Sequence, residues 1–461
     1  MDNNQNYYNN NQNQPYGNQQ GYHGGYYNQY NTQYNYQHHR IYSNPQQGYV
    51  AYNNYNYNRQ RYNVYPGGYS YYQNLYNMFG GYNPIVDREF TEISRRGTMA
   101  GALVLGIFLM QVVASLTVSL FPVLSDYYYA DVTFSEGMGI FMQFIYMLVP
   151  ALVVFFISKP EDRMDTTIFG KPKSGPLCLL GIFAGFALCL LGDAATSVFS
   201  VILNIFGVTF YSGFEDMEIP TTAVGIIIFI VNLAVMPALL EEFAFRGVLM
   251  QPLRKYGDWF AILASSFCFA IVHANMVQIP FAFIAGIALG YFCIKTKSIW
   301  TSVIIHFLNN FLAALTSIYY DKYPDASLLI YYAVTIAFVL LGVVAMLVFR
   351  KSCTVRTKKD ATAMSKNKSL KIASFVTVPT VLIAFFYAVF NSISLTETTN
   401  LIGVLALIAL LGVAGFFIIR FIRVIQKQKT IKQKPMYTVS LILTIISCLF
   451  LGLIALFTLS L

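Results

Sequence analysis

Charge is scarce in this chain. Of its 461 residues only 11% are Asp, Glu, Lys or Arg, where soluble domains carry about 25%, and 56% are hydrophobic with a mean hydropathy of +0.50. So little charge excludes an ordinary soluble domain. Cysteine is sparse too. Cys178, Cys189, Cys268, Cys293 and Cys448 lie in apolar runs and Cys353 in a basic loop, with no CxxC pair among them. Neither a disulfide framework nor a thiolate metal knot is expected, and all six read as free thiols. A secretory signal pattern is also missing: the first long apolar run begins near residue 98 and is too long for a signal h-region, so it reads as a membrane span.

Residues 1–84 are built from Asn, Gln, Gly and Tyr, holding 21 of the 35 tyrosines and one acidic residue, Asp2. Without aliphatic periodicity this tail has nothing from which to make a core, and disorder is its expected state, its aromatics giving it some capacity for self-association. Apolar runs then follow near 98–122, 136–158, 176–206, 222–254, 259–275, 280–296, 298–318, 328–349, 372–392, 400–419 and 436–460. At 1.5 Å per residue, about twenty residues cross the roughly 30 Å hydrocarbon layer. The expected fold class is therefore all-α, a polytopic transmembrane helix bundle of about eleven spans behind a disordered tail.

The connectors sort by charge. Twenty-eight of the 30 basic residues fall in alternate connectors, the last of them the 350–371 and 420–434 loops, whereas the intervening ones carry Asp126, Asp131, Glu136, Glu215, Asp216, Glu218, Asp321, Asp325 and Glu397 with one basic residue, Lys322. The positive-inside rule then predicts a cytoplasmic N-terminus and, after eleven spans, an outside C-terminus. The excess of nine positive charges is thus a topology signal and implies no nucleic-acid partner; the dense basic loops suit anionic lipid.

Ionisable side chains at bilayer depth cost about 2.5–3.5 kcal/mol each on insertion scales and mark function by default. They are Asp193, Glu241, Glu242, Arg246, His273 and His306, and the three remaining histidines, His23, His38 and His39, all lie in the tail. Glu242 and Arg246 stand one helical turn apart and can pair, while Glu241 points about 100° away. Phe269 shares a face with His273, and His306 with Asn310. Counted along the helices from Arg254, Asp258 and Lys297, Glu241 and Asn310 lie ~20 Å deep, His273 ~22 Å and His306 ~13 Å. The fourth run would be ~50 Å long as one helix, so a kink at Pro237 or a cytoplasmic projection is expected.

A carboxylate, two imidazoles and a carboxamide gathered at similar depth suit hydrolysis of an acyl bond: Glu241 with His273 can take a proton from water, and His306 with Asn310 can donate to the developing oxyanion. No serine or cysteine nucleophile and no cofactor is required. The same residue types also bind zinc, with Glu241, His273 and His306 as ligands, although an HExxH helix is absent.

EExxxR at Glu241–Arg246, FxxxH at Phe269–His273 and HxxxN at His306–Asn310, in that order on three spans, resemble the CPBP family of intramembrane proteases, the CAAX prenyl protease 2-like or bacteriocin-processing (Abi) group. The resemblance implies a helical core of about eight spans, residues 98–350 with the motif region at 241–310, which cleaves peptide bonds near the cytoplasmic side. It implies that Glu241 and His273 activate water, that His306 and Asn310 form the oxyanion hole, and that Glu242 and Arg246 support the site. A peptide or membrane-protein substrate in a bacterial plasma membrane is expected. Residues 351–461, a basic loop and three appended helices, lie outside the resemblance. Two other readings compete with hydrolysis, a transporter using the same groups as a proton relay and a non-catalytic scaffold regulating membrane partners. Asp193 is expected to serve packing or hydrogen bonding.

Overall fold

In hydrocarbon every backbone N–H and C=O must be satisfied within the chain, so long apolar runs fold as helices. The computed structural model describes residues 84–160, 163–211, 218–358, 368–427 and 434–456; the Asn/Gln/Tyr tail before them and Glu215 and Asp216 lie outside the described residues. Each of the eleven apolar runs is helical. In chain order the elements are α1 (Pro84–Leu120), α2 (Pro122–Ala130), α3 (Val132–Ile157), α4 (Gly175–Ile205), β1 (Val208–Phe210), α5 (Ala223–Tyr256), α6 (Asp258–Ile271), α7 (Gln278–Thr296), α8 (Ile299–Lys322) and α9 (Pro324–Ser352). They continue with α10 (Lys368–Val376), α11 (Pro379–Ser394), β2 (Thr396–Thr398), α12 (Leu401–Gln426) and α13 (Lys434–Leu456).

The structure refines the expected spans in three ways. Nine helices among the described residues are long and apolar enough to cross a membrane singly. The 372–392 run is instead two helices, α10 and α11, bent by 71° at a short break; Pro379, which lacks an N–H and disfavours helix in the residue before it, opens the second. The 259–275 run yields only the 14-residue α6, ~21 Å long and short of the hydrocarbon thickness. It is one arm of an antiparallel hairpin with α7, in which Gly286 faces Ser266 and Gly290 faces Ile262. Both open ends of that hairpin lie at the basic loop after α9: Asp258 accepts from the Lys358 N–H at 2.7 Å and Lys295 donates to the Val355 carbonyl at 2.6 Å. A hairpin that leaves and returns at one end preserves the charge alternation whether or not its tip reaches the far side.

α1 also starts earlier than the expected 98, at Pro84, with Asp87 in its first turn and an Arg88–Glu92 pair one turn apart at 3.4 Å. In α5 the anticipated kink at Pro237 takes another form. The turn just before it, Val231–Val235, is widened to π geometry, and the Met236 N–H bonds to the Val231 carbonyl five residues back. Proline cannot supply its own N–H, and the wider turn accommodates that loss without breaking the helix. A second and longer π stretch, Glu242–Met250, follows.

Close helix packing depends on small residues, as expected where water does not drive association. α4 packs along α9 and α7, with Gly181 meeting Phe292 and Phe349, and α1 packs along α11, with Gly101 against the Thr380 backbone. The C-terminal helices thus share a body with the rest. The Lys371 ammonium, itself buried, donates to the Tyr256 carbonyl at 2.9 Å, and the Ser94 and Tyr437 hydroxyls meet at 2.8 Å. At the end opposite the basic loops, β1 and β2 form an antiparallel ribbon with Val208 opposite Thr398 and Phe210 opposite Thr396.

A methyl group on Gly342 would overlap Ala187 Cβ and come within 2.9 Å of the Phe183 carbonyl, while one on Gly412 would meet nothing within 4 Å. Gly342→Ala should therefore lower stability by about 1–3 kcal/mol through overpacking, and Gly412→Ala should be neutral or stabilising by about 0.5–1 kcal/mol. Unfolding in detergent micelles distinguishes the two.

Candidate active site

The π stretch of α5 begins at Glu242 and contains Arg246. Arg246 Nη1 contacts Glu242 Oε1 at 2.8 Å, and neither side chain has any exposed surface. Two further partners meet the guanidinium: Nη2 donates to the Gly286 carbonyl of α7 at 3.2 Å, and the Phe269 ring of α6 lies 4.3 Å from Cζ. A cation over an aromatic face gains most when desolvated. One arginine thereby ties α5 to both arms of the hairpin.

Glu242 serves a third helix. His306 Nδ1 on α8 lies 3.1 Å from the same Oε1, and since a carboxylate paired to arginine can only accept, Nδ1 carries the proton. The other nitrogen, Nε2, is thereby turned toward Glu241, whose Oε2 is 3.8 Å away. The two adjacent acids are thus separated: Glu242 is fully enclosed, and Glu241 keeps 16% of its side chain exposed. His306 bridges them, and its ring stands edge-on to Phe269 at 5.8 Å between centroids. The ~13 Å depth expected for His306 against ~20 Å for Glu241, counted at 1.5 Å per residue, gives way to direct contact.

His273 is not within a helix. α6 ends at Ile271, and His273 occupies the following turn, where its Nδ1 meets the Phe269 carbonyl at 2.7 Å. Ala274 then turns the chain through a left-handed conformation at φ 48°, which disfavours a residue bearing Cβ. Neighbours fix this turn. Asn391 of α11 donates to the Ala274 carbonyl at 2.9 Å, Asn275 donates to the Tyr211 carbonyl beside β1 at 3.1 Å, and the Asn275 side chain accepts from the Val277 N–H at 2.8 Å. The His273 ring packs on Phe269 at 5.0 Å between centroids and lies within electrostatic reach of Glu241 and His306.

Asn310 follows His306 by one turn and donates to the Leu233 carbonyl in the first π turn of α5 at 3.2 Å, while its own oxygen accepts from Asn309. One of its amide hydrogens is thereby used and the other is left over. Arg246, Glu242, His306 and Glu241 are therefore linked in a chain of contacts, His273 joins them through Phe269, and Asn310 is anchored to the same helix as the glutamates. The Oε2 atoms of both glutamates are buried with no hydrogen-bond partner among the described residues, leaving two acceptors that a bound donor can satisfy. Three contributors escaped the sequence: the Gly286 carbonyl, Tyr146 of α3 within electrostatic reach of Glu241, and Ser302 beside Glu242. Only Ser302 left a signal, its place one turn before His306.

For the zinc set Glu241, His273 and His306, no three His, Cys, Asp or Glu side chains among the described residues converge so as to hold a metal ion. Glu242 Oε1 is already shared by Arg246 and His306. Asp193 has a hydrogen-bonding role, accepting from the Tyr331 hydroxyl across α4 and α9.

Residues 223–312, from the start of α5 to just beyond Asn310, match the family described as type II CAAX prenyl endopeptidase Rce1-like. The chain is also similar to YdiL of Bacillus subtilis, by name a candidate membrane peptidase, at 27% identity over 38% of this chain and 70% of that one. Its similarity to the membrane-embedded CAAX protease MroQ of Staphylococcus aureus is 28% identity over 37% of this chain and 71% of that one. No solved structure matches.

Removing Arg246 alone strands the Glu242 carboxylate without charge compensation. Arg246→Ala should cost about 3–5 kcal/mol, and removing both charges with Arg246→Met and Glu242→Gln should recover much of that. Thermal unfolding of the single and double variants measures the difference.

Proposed function

We propose that this chain, whose residues 223–312 match the Rce1-like CAAX prenyl endopeptidase family, is a CPBP-type membrane protease that hydrolyses peptide bonds at the Glu241/His306 site. The observation that carries the reading is His306 held between two glutamates of different burial, at 3.1 Å from Glu242 and 3.8 Å from Glu241. Glu241 is the more exposed acid and has no arginine partner, so it acts as the base that takes a proton from the attacking water, with His273 orienting that water. Hydroxide adds to the scissile carbonyl, whose C=O electrons move onto oxygen. His306 gives its Nδ1 hydrogen to Glu242 and so can donate to the oxyanion only through a protonated Nε2. Asn310 adds its unused amide hydrogen. On collapse the proton held by Glu241 passes to the departing amine, and Glu241 is restored as carboxylate. Glu242 and Arg246 keep His306 in position throughout.

No step requires a metal. The zinc alternative would need Glu241, His273 and His306 to draw together, and retention of activity in a strong chelator separates it from the water mechanism. The transporter and scaffold readings have no support from the family. The substrate is a peptide or a membrane-protein segment cut near the cytoplasmic side of a bacterial plasma membrane.

With purified, reconstituted protein and peptide substrates, Glu241→Ala, His273→Ala and Asn310→Ala should each lower kcat by about 100-fold or more, with unchanged unfolding temperatures. Cleavage that survives all three substitutions would overturn the assignment.

Orientation follows from the basic connectors: N-terminus cytoplasmic and C-terminus outside. In a cysteine-free background, Ser460→Cys should react with an impermeant maleimide in intact cells, and Ser43→Cys only after permeabilisation. The reverse pattern inverts the topology.

A further inference from the structure

Asp193 is the only acidic residue of α4, a 31-residue helix otherwise dominated by apolar and small side chains. It lies ~27 Å along the helix from Gly175 and ~18 Å before its end at Ile205, within a helix long and apolar enough to cross a membrane. A cavity of about 330 Å³ opens beside it, lined by Asp193, Thr196, Ser197 and Ser200 of α4 and by Gln278 and Phe281 of α7. This is the end of α7 opposite Lys295, so the cavity is far from the basic loops.

Hydrogen bonding in the cavity is incomplete. Thr196 donates to the Gly192 carbonyl at 3.0 Å, and the Tyr331 hydroxyl donates to Asp193 Oδ2. Among the described residues Asp193 has no other hydrogen-bond partner, and the side chains of Ser197, Ser200 and Gln278 have none. Ser197 is exposed and Asp193, Ser200 and Gln278 are half-buried, so two hydroxyls, an amide and a carboxylate oxygen stand at the cavity surface with bonding capacity that a polar ligand can use.

We propose that this cavity binds an organic ammonium group, with Asp193 as counter-charge, Ser197, Ser200 and Gln278 as hydrogen-bond partners and the Phe281 ring as an apolar and cation-accepting wall. Size and charge select that class. The cavity is roughly ten times the ~30 Å³ share of one water, too large for a bare metal ion, which would also want more than one carboxylate. It holds a group of several heavy atoms bearing one positive charge. An ammonium can come from a lipid headgroup such as phosphatidylethanolamine or from a free amine. Val277, which also lines the cavity, belongs to the turn that carries His273, so occupancy also steadies that turn.

The test is native mass spectrometry of the full-length protein released from nanodiscs of equal phosphatidylethanolamine and phosphatidylglycerol. Wild type should retain the ethanolamine lipid by about tenfold over the glycerol lipid, and Asp193→Asn, which keeps the size of the side chain, should abolish that preference. Gln278→Leu, on the rim and less exposed to misfolding, should weaken it. Deuterium exchange at residues 272–277 should fall when wild type binds and stay unchanged in Asp193→Asn, a readout independent of peptidase activity. Ethanolamine alone reproducing the protection identifies a free amine as sufficient; protection by the lipid alone assigns the headgroup. Equal retention of both lipids by wild type, or undiminished preference in a folded Asp193→Asn, would sink the proposal.

Discussion

Arg246 is a guanidinium with no exposed surface in a membrane protein, and it exists there because Glu242, the Gly286 carbonyl and the Phe269 face surround it. An uncompensated ion in that position would cost several kcal/mol, so none of these partners can leave without penalty. The consequence is architectural. Because the partners come from α5, α6 and α7, the pair determines how the hairpin leans on α5. Because Glu242 also holds His306, it sets the orientation of α8 as well. The approach of Glu241 to His306 is therefore a by-product of satisfying one buried charge.

The C-terminal helices take part in this arrangement. Asn391 reaches the Ala274 carbonyl in the turn that carries His273, and Lys371 holds the Tyr256 carbonyl at the hairpin's other end. A hairpin with one arm of only 14 residues needs support at both ends. The β1–β2 ribbon, Tyr211 and α11 give it at the tip, and the chain after α9 gives it at the basic end. The segment that matches the family ends at residue 312, yet its turn geometry depends on residues some eighty positions further on.

Much of the site was legible beforehand because charge is so rare in these spans. Any Glu, Arg or His inside an apolar run is conspicuous, and one-turn spacing paired Glu242 with Arg246 and linked His306 to Asn310. Depth was less legible. Counting residues placed His306 several ångströms from Glu241, since the count assumes upright, uniform helices, whereas α5 is widened by two π stretches. Contributors without ionisable side chains, such as the Gly286 carbonyl, left no mark in the sequence at all.

By itself the sequence determined the helical class, the sorting of basic and acidic ends, and the identity of the few polar residues in the lipid, because these follow from local hydropathy and the price of charge in hydrocarbon. Tertiary structure decided which of those residues meet, that His306 is shared by two glutamates, that α6 is a short arm ending at His273, and that Asp193 borders a cavity. Those outcomes depend on helix tilt, π turns and contacts between distant segments, and no periodicity along the chain records them.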